Sequence, residues 1–432
     1  MGAHGVTPFP AIDPEPPPRL TRLKQSSPRT RWSVAGVALT AAAVATVLLV
    51  LPNSGPPNRP AAAKFSDRSG LVVFKDQGSG QLGTAAPDGS GAALLNGAGT
   101  LAGEDTPVES PDARSLVTLE GQIVTVSQTG SLTVGYLPSV PPNQVFNGPW
   151  AAVSFANGGR ELAEALCDGT DPWQALLVPV ASASGVLLGH VDANYDSASV
   201  AGDPRSAGAF TIPARPGGSD CSGGAPPRDG DPGVVFDRQG RPPRMIITAA
   251  AVSHALGSPT GTPVLLSVFP SPDGNLLAIT ASTFTVNPHP GPTTPEVQPN
   301  NIGMVVTTRT GTIVAATSRY DGYLVSWSPD SREIAMAMMP RNAAPAKVVV
   351  WTPGGATRTI ALPGHHGESA TVLLWSPDGQ QLIYAAQSNA PTLTTSQAFK
   401  RGWTVIDLRT GQVHEVKAAG QPAAWLPAAG RR

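Results

Sequence analysis

The 432 residues are too many for one small core and suit a single large repeat domain. Charged residues make up 14% and the formal net charge is −1, a balance that gives no reason to expect nucleic-acid binding, which needs a basic face, and no nucleic-acid partner is expected. Glycine (47) and proline (46) are each near one residue in nine and are spread along the chain, which fits an all-β protein rich in turns better than a disordered one.

Residues 1–32 are basic and proline-rich, with Arg19, Arg22, Lys24, Arg29 and Arg31 and the run PEPPPRL at 14–20. They read as a solvated tail, with a polyproline II ligand for a cytoplasmic partner as the alternative. Residues 33–51 (SVAGVALTAAAVATVLLVL) carry no charge. As a helix rising about 1.5 Å per residue, this run matches a hydrocarbon core of ~30 Å. The cations ahead of it place the N-terminus in the cytoplasm and all that follows outside. A cleaved signal peptide would have a shorter apolar run, about 7–15 residues, and a small-residue site close behind it; here the nearest alanine cluster is at 61–63. No cysteine stands just after the run to take a lipid. Residues 52–69 read as a proline-rich spacer.

From residue 70 to 430 two motifs alternate. The first is a strand ending in a Ser-Pro-Asp-Gly-like turn: ESPDAR at Asp112, SFANGG at Asn157, AGDPRS at Asp203, FPSPDG at Asp273, WSPDSR at Asp330 and WSPDGQ at Asp378, with a degenerate AWLPAAG at Trp425. Proline presets φ, aspartate and serine bond the local backbone, and glycine closes the turn. The second is a strand ending in a glycine hairpin at Gly130, Gly185, Gly240, Gly311, Gly355 and Gly411. Together they give four strands per unit, and such repeats stack into propellers. The last copy has only an inner strand, while residues 70–96 begin mid-unit. The two ends therefore complete one blade and close the ring. The expected fold is a seven-bladed β-propeller with an N-terminal transmembrane helix. Six blades is the fallback if the divergent segment 196–256 is misread.

The copies WSPDSREIAMA and WSPDGQQLIYAA resemble the WD40-like repeats of the TolB-type propellers of bacteria. The resemblance covers roughly residues 70–430. It implies an extracytoplasmic propeller that binds other proteins or cell-envelope components. No Trp-Asp dipeptide of the eukaryotic repeat occurs.

Chemistry-bearing motifs are sparse. Gly78-Ser-Gly80-Gln-Leu-Gly83 has dinucleotide-loop spacing, but TAAPDGSG follows instead of a helix, so it reads as a β-turn. His365, His366 and Glu368 offer three donors in a GHHGES loop, read as solvated sooner than as a zinc site. Asp168, Asp171 and the run 228–233 lack calcium-loop spacing. Trp327, Trp375 and Trp425 recur at one repeat position, as core packing between blades or as a ligand platform. Cys167 and Cys221 read as one disulfide outside the membrane, pinning the loop of the following blade. Two segments exceed a four-strand blade, about 213–233 and about 283–301, and are candidates for a binding surface. No catalytic residue, metal ligand or cofactor site is assigned. The expected function is a non-enzymatic, membrane-tethered module that binds an envelope protein or cell-wall component. A propeller hydrolase or lyase, and a receptor signalling through the tail, are the alternatives.

Overall fold

The computed structural model describes residues 70–427 except 77, 96–107, 111–114, 118–121, 127–131, 137–151, 167–173, 181–185, 191–199, 214–232, 258–262, 287–296, 319–323, 339–344, 367, 389–401 and 418–419. Among the described residues there are seven four-stranded antiparallel sheets. Blade 1 is β4 (Val108–Glu109), β5 (Ser115–Val117), β6 (Gln122–Val126) and β7 (Leu132–Tyr136). Blade 2 is β8 (Ala152–Ala156), β9 (Glu161–Leu166), β10 (Gln174–Pro179) and β11 (Val186–His190). Blade 3 is β12 (Val200–Gly202), β13 (Gly208–Thr211), β14 (Gly233–Arg238) and β15 (Arg241–Thr248). Blade 4 is β16 (Pro263–Pro270), β17 (Leu276–Val286), β18 (Val297–Thr308) and β19 (Ile313–Thr317). Blade 5 is β20 (Leu324–Trp327), β21 (Ile334–Met338), β22 (Pro345–Trp351) and β23 (Thr357–His366). Blade 6 is β24 (Glu368–Trp375), β25 (Gln381–Ser388), β26 (Trp403–Asp407) and β27 (Val413–Val416). The six-blade fallback fails because segment 196–256 supplies a full blade 3.

Blade 7 is assembled from both ends of the propeller. Its inner strand, β28 (Gly420–Leu426), pairs with β1 (Leu71–Asp76), followed by β2 (Leu82–Ala85) and β3 (Ala93–Leu94). The register runs from Leu71↔Leu426 to Asp76↔Gly420, with a bulge after Val73. Two glycines permit the close approach. A Cβ on Gly70 would meet the Leu426 carbonyl at 2.3 Å, and one on Gly420 would meet the Phe74 ring at 2.4 Å.

The repeated turn is a serine device. Ser271, Ser328 and Ser376 are buried. Each backbone N–H donates to the carbonyl five residues on, at 2.9, 2.8 and 2.9 Å. Each hydroxyl accepts from the N–H of that same residue, at 2.9, 2.9 and 2.8 Å, and donates to the turn aspartate, at 2.6, 2.7 and 2.7 Å. Ser110 of blade 1 makes the same pair with Ser115. The fourth turn residue is left-handed: Gly274 (φ 64), Gly379 (φ 70) and Ser331 (φ 62). Ser331 keeps a non-glycine side chain there, and its hydroxyl accepts from the Asp273 N–H of blade 4 at 3.0 Å.

Two elements differ from the sequence reading. Residues 249–255 form a helix, α1 (Ala249–Ala255), between blades 3 and 4; Thr248 caps it by accepting from the Ala251 N–H at 3.2 Å. Segment 283–301, read as a loop, is largely strand: β17 and β18 pair out to Val286↔Val297, with a bulge at the Thr283/Phe284 step. Thr-Phe-Thr-Val at 283–286 has the composition of a strand, and the bulge admits the proline-bearing partner. No helix among the described residues is long and apolar enough to cross a membrane. The tail 1–32, the apolar run 33–51 and the spacer 52–69 lie outside the described residues.

Burial works to raise the Asp273 carboxyl, but bonds from Ser271, Asn275 and Ser331 outweigh it and hold the group below its ordinary 3.8. Its contribution to stability is therefore present above that value and lost as pH falls through the lower folded value. Replacing Ser271 with Ala is expected to cost roughly 1–3 kcal/mol in a denaturant melt. It is also expected to return the Asp273 carboxyl toward 3.8 in a carboxyl NMR titration.

Candidate functional site

The inner strands of all seven blades surround a central cavity of ≈ 680 Å³. It lies at the end carrying the serine turns, so the turn prolines Pro204, Pro272, Pro329 and Pro377, with Pro427, line its mouth. The wall is mostly Val, Phe, Trp and Pro, with Ser110, Ser154, Ser326 and Glu109 as its polar side chains. Alternate side chains of an inner strand point to the two neighbouring blades, Trp425 of β28 toward blade 6 and Ala424 and Leu426 toward blade 1, so it is the edge of the strand that borders the cavity.

The three tryptophans meet here. Trp327, Trp375 and Trp425 all line the cavity, yet are only 8%, 6% and 2% exposed. Their rings sit between blades. The Trp327 indole donates to the Phe269 carbonyl of blade 4 at 2.9 Å, and the Trp375 indole donates to the Ser326 carbonyl of blade 5 at 3.0 Å. These two indoles thus tie their inner strands to the preceding ones, while all three tryptophans form part of the wall. Trp403, on β26, reaches the other way, its indole donating to the Pro87 carbonyl of the following blade 7 at 2.9 Å.

His365 and Glu368 are not solvated. Both are buried where β23 passes into β24. His365 Nδ1 lies 2.7 Å from Glu368 Oε2, and its Nε2 lies 2.9 Å from the Thr404 hydroxyl. A carboxylate only accepts, so Nδ1 donates to it, and the second ring nitrogen shares a hydrogen bond with the Thr404 hydroxyl. Tyr384 packs edge-on against the imidazole at 5.2 Å. Burial, then the Glu368 charge, pushes its phenol well above the ordinary range. The hydroxyl–imidazole–carboxylate order is that of a nucleophile relay, but Thr404 is only 1% exposed. The cluster fastens the blade 5–blade 6 connection to β26. The loop reading failed because two ring nitrogens with two partners can be buried, and periodicity does not display that pairing.

A second polar node was not legible. Asp203 is 0% exposed and receives both terminal nitrogens of Arg309, at 2.7 and 2.5 Å, from the glycine hairpin of blade 4. Ser206 also donates to it. The Arg309 guanidinium lies over the rings of Phe236 (5.0 Å) and Phe210 (5.9 Å). The Asp203 N–H donates to the Gly208 carbonyl five residues on, as the turn serines do. Asp203 therefore occupies the serine position of its turn, not the aspartate position, and that swap was the available signal for a cation nearby.

The glycine run at 78–83 is a turn: the Ser79 N–H donates to Asp76 at 2.8 Å, and a Cβ on Gly83 would meet the Phe74 ring at 2.3 Å. Cys167, Cys221, Asp168, Asp171, most of 228–233 and segments 214–232 and 287–296 lie outside the described residues.

No protein-family model matches the chain, and no curated protein matches it. Solved structures similar to it include TolB from Acinetobacter baumannii, at 15% identity over 68% of this chain and 64% of that chain, TM-score 0.41. They also include the periplasmic gluconolactonase of Pseudomonas aeruginosa, at 15% identity over 82% and 97%, TM-score 0.40. A third is the GH74 enzyme of Niastella koreensis, at 12% identity over 81% and 45%, TM-score 0.43. The chain spans less than two thirds of the length of the Acinetobacter TolB. The propeller assignment rests on the seven sheets and their closure.

Asp203→Asn is expected to cost about 2–4 kcal/mol, since it removes the charge that pairs a guanidinium held between blades. The loss should appear as a lower denaturant midpoint with an unchanged slope.

Proposed function

We propose that the chain is a membrane-tethered, extracytoplasmic propeller that acts as a non-catalytic binding module, taking an envelope protein or cell-wall component at the mouth of the central cavity. The observation that carries this reading is the cavity wall: prolines, valines and indole edges from seven blades, with Glu109 as its single charged side chain among the described lining residues. Apolar concave surfaces with few polar groups are the usual form of a recognition site. The hydroxyl–imidazole–carboxylate set of this chain is buried where blade 5 passes into blade 6 and contributes nothing to the cavity lining.

The tether is read from the uncharged run 33–51 and the cations before it. Deleting 33–51 is expected to move the chain from the membrane pellet to the soluble fraction. Retention in an alkali-washed pellet would discard the tether.

Crosslinking in intact membranes, with the full chain as bait, tests the binding site. Val325→Lys places a charge in the cavity wall and is expected to reduce capture of the envelope component at least about tenfold. Equal capture by Val325→Lys and the parent chain would move the site off the cavity. Turnover of a cell-wall fragment by the parent chain would replace the non-catalytic reading with the hydrolase or lyase one.

A further inference from the structure

A carboxyl is buried without a partner where two blades meet. Glu164, on β9 of blade 2, is 5% exposed, and its Oε1 has no hydrogen-bond partner. It stands opposite Val153 of β8 and opposite Leu176 of β10. Opposed residues of an antiparallel ladder share a face, as do residues two apart. Glu164 therefore lies on the same face as Leu162 and Val153. That face packs on blade 1, where Leu162, Phe155 and Val117 form one buried cluster with Val108, Ile123 and Val153 against it.

Few charges stand around it. Strands β8, β10 and β12 carry no ionisable residue, and neither do β5 and β6 of blade 1. Glu109 of β4 is the ionisable residue that blade 1's described strands β4 to β6 contribute. Glu161, on β9 itself, falls on the other face by alternation, and Arg160 precedes the strand. Asp203, beyond β12, is held by Arg309. No cation among the described residues pairs with Glu164. Burial raises its carboxyl from 4.5 to about 7. Val153 and Phe155, its neighbours in the ladder and the cluster, line the central cavity.

We propose that the seam between blades 1 and 2 is a proton-operated joint: with Glu164 protonated it is dry and closed, and with Glu164 ionised it takes up water beside Val153 and loosens that part of the cavity wall. This does not depend on what the cavity binds. The closed seam holds the proton more tightly than an open one does. Its stability is therefore full below 4.5 and is lost as pH rises through about 7. Between about pH 6 and about pH 8 the opening equilibrium should rise about tenfold.

Hydrogen exchange of the full chain, corrected for the intrinsic effect of pH, reads this directly. Peptides from 115–126 and 152–166 should lose protection about tenfold over that interval relative to peptides from 334–351. Glu164→Gln, which imitates the protonated group, should hold seam protection constant. Parallel behaviour of seam and control peptides in the parent chain, or the same loss in Glu164→Gln, overturns the joint. Should the variant not fold, the Glu164 carboxyl of the parent chain is titrated by carbon NMR. A midpoint near 7 supports the proposal, and one near 4.5 overturns it.

Discussion

The propeller depends on one ladder, the pairing of β28 with β1. Each of the other six blades is built from consecutive strands, so local turns hold it together. Blade 7 alone joins residues more than three hundred positions apart. Closing so long a loop costs chain entropy that grows only slowly with length, and the ladder offsets it by removing the two free edges an open ring would expose. Val72, Phe74 and Trp425 then share one buried cluster with Val372, Ile383 and Val405 of blade 6. Val73, Ala424 and Leu426 share another with Leu116 and Val124 of blade 1. The composite blade is thus packed on both sides like any other.

Between blades, coupling is carried by a few directed hydrogen bonds laid over apolar packing. The indoles of Trp327 and Trp375 each reach back to a carbonyl of the preceding inner strand, Ser331 reaches from blade 5 to blade 4, and Arg309 reaches from blade 4 to blade 3. Arg358 does the same toward blade 6, donating to the Leu408 carbonyl at 2.8 Å and to Glu333 of its own blade. Apolar contact alone would let flat sheets slide on one another; hydrogen bonds with fixed partners set the angle between them. Blade 2 is coupled through its backbone, the Asn157 and Gly158 N–H groups donating to the Asp203 and Pro204 carbonyls of blade 3, each at 2.9 Å. Its turn lacks the serine and aspartate, using Asn157 (φ 51) and two glycines, and its face toward blade 1 buries an unpaired carboxyl.

The blade count, the strand order and the closure were legible because the Ser-Pro-Asp-Gly turn has a local physical reason that survives in single copies. Ser271, Ser328 and Ser376 repeat one set of bonds, and the sequence repeats with them. What was hidden involves partners distant in the chain. Asp203 and Arg309 are 106 positions apart, and nothing local marks the arginine. His365 looked like loop because two adjacent histidines and a glutamate are polar; the Thr404 hydroxyl that makes one of them buriable lies 39 positions on. Helix α1 was missed because Ala-Ala-Ala at 249–251 follows a strand without a break, and the capping role of Thr248 shows only once the chain turns. The tryptophans were read as either packing or platform, and the structure gives them both positions at once: ring between blades, edge on the cavity.

The closure also decides how the molecule bears load. The chain enters the propeller at Gly70 and runs at once into β1, which lies between β28 and β2 with six residue pairs on one side and four on the other. Antiparallel bonds lie across the strand direction. A pull on the chain ahead of Gly70 along β1 therefore shears both ladders together, and no bond can open singly as it would if the strand were peeled from an edge. The strand that completes the ring is in this way also its mechanical anchor point, and the rest of the propeller is shielded from tension applied there.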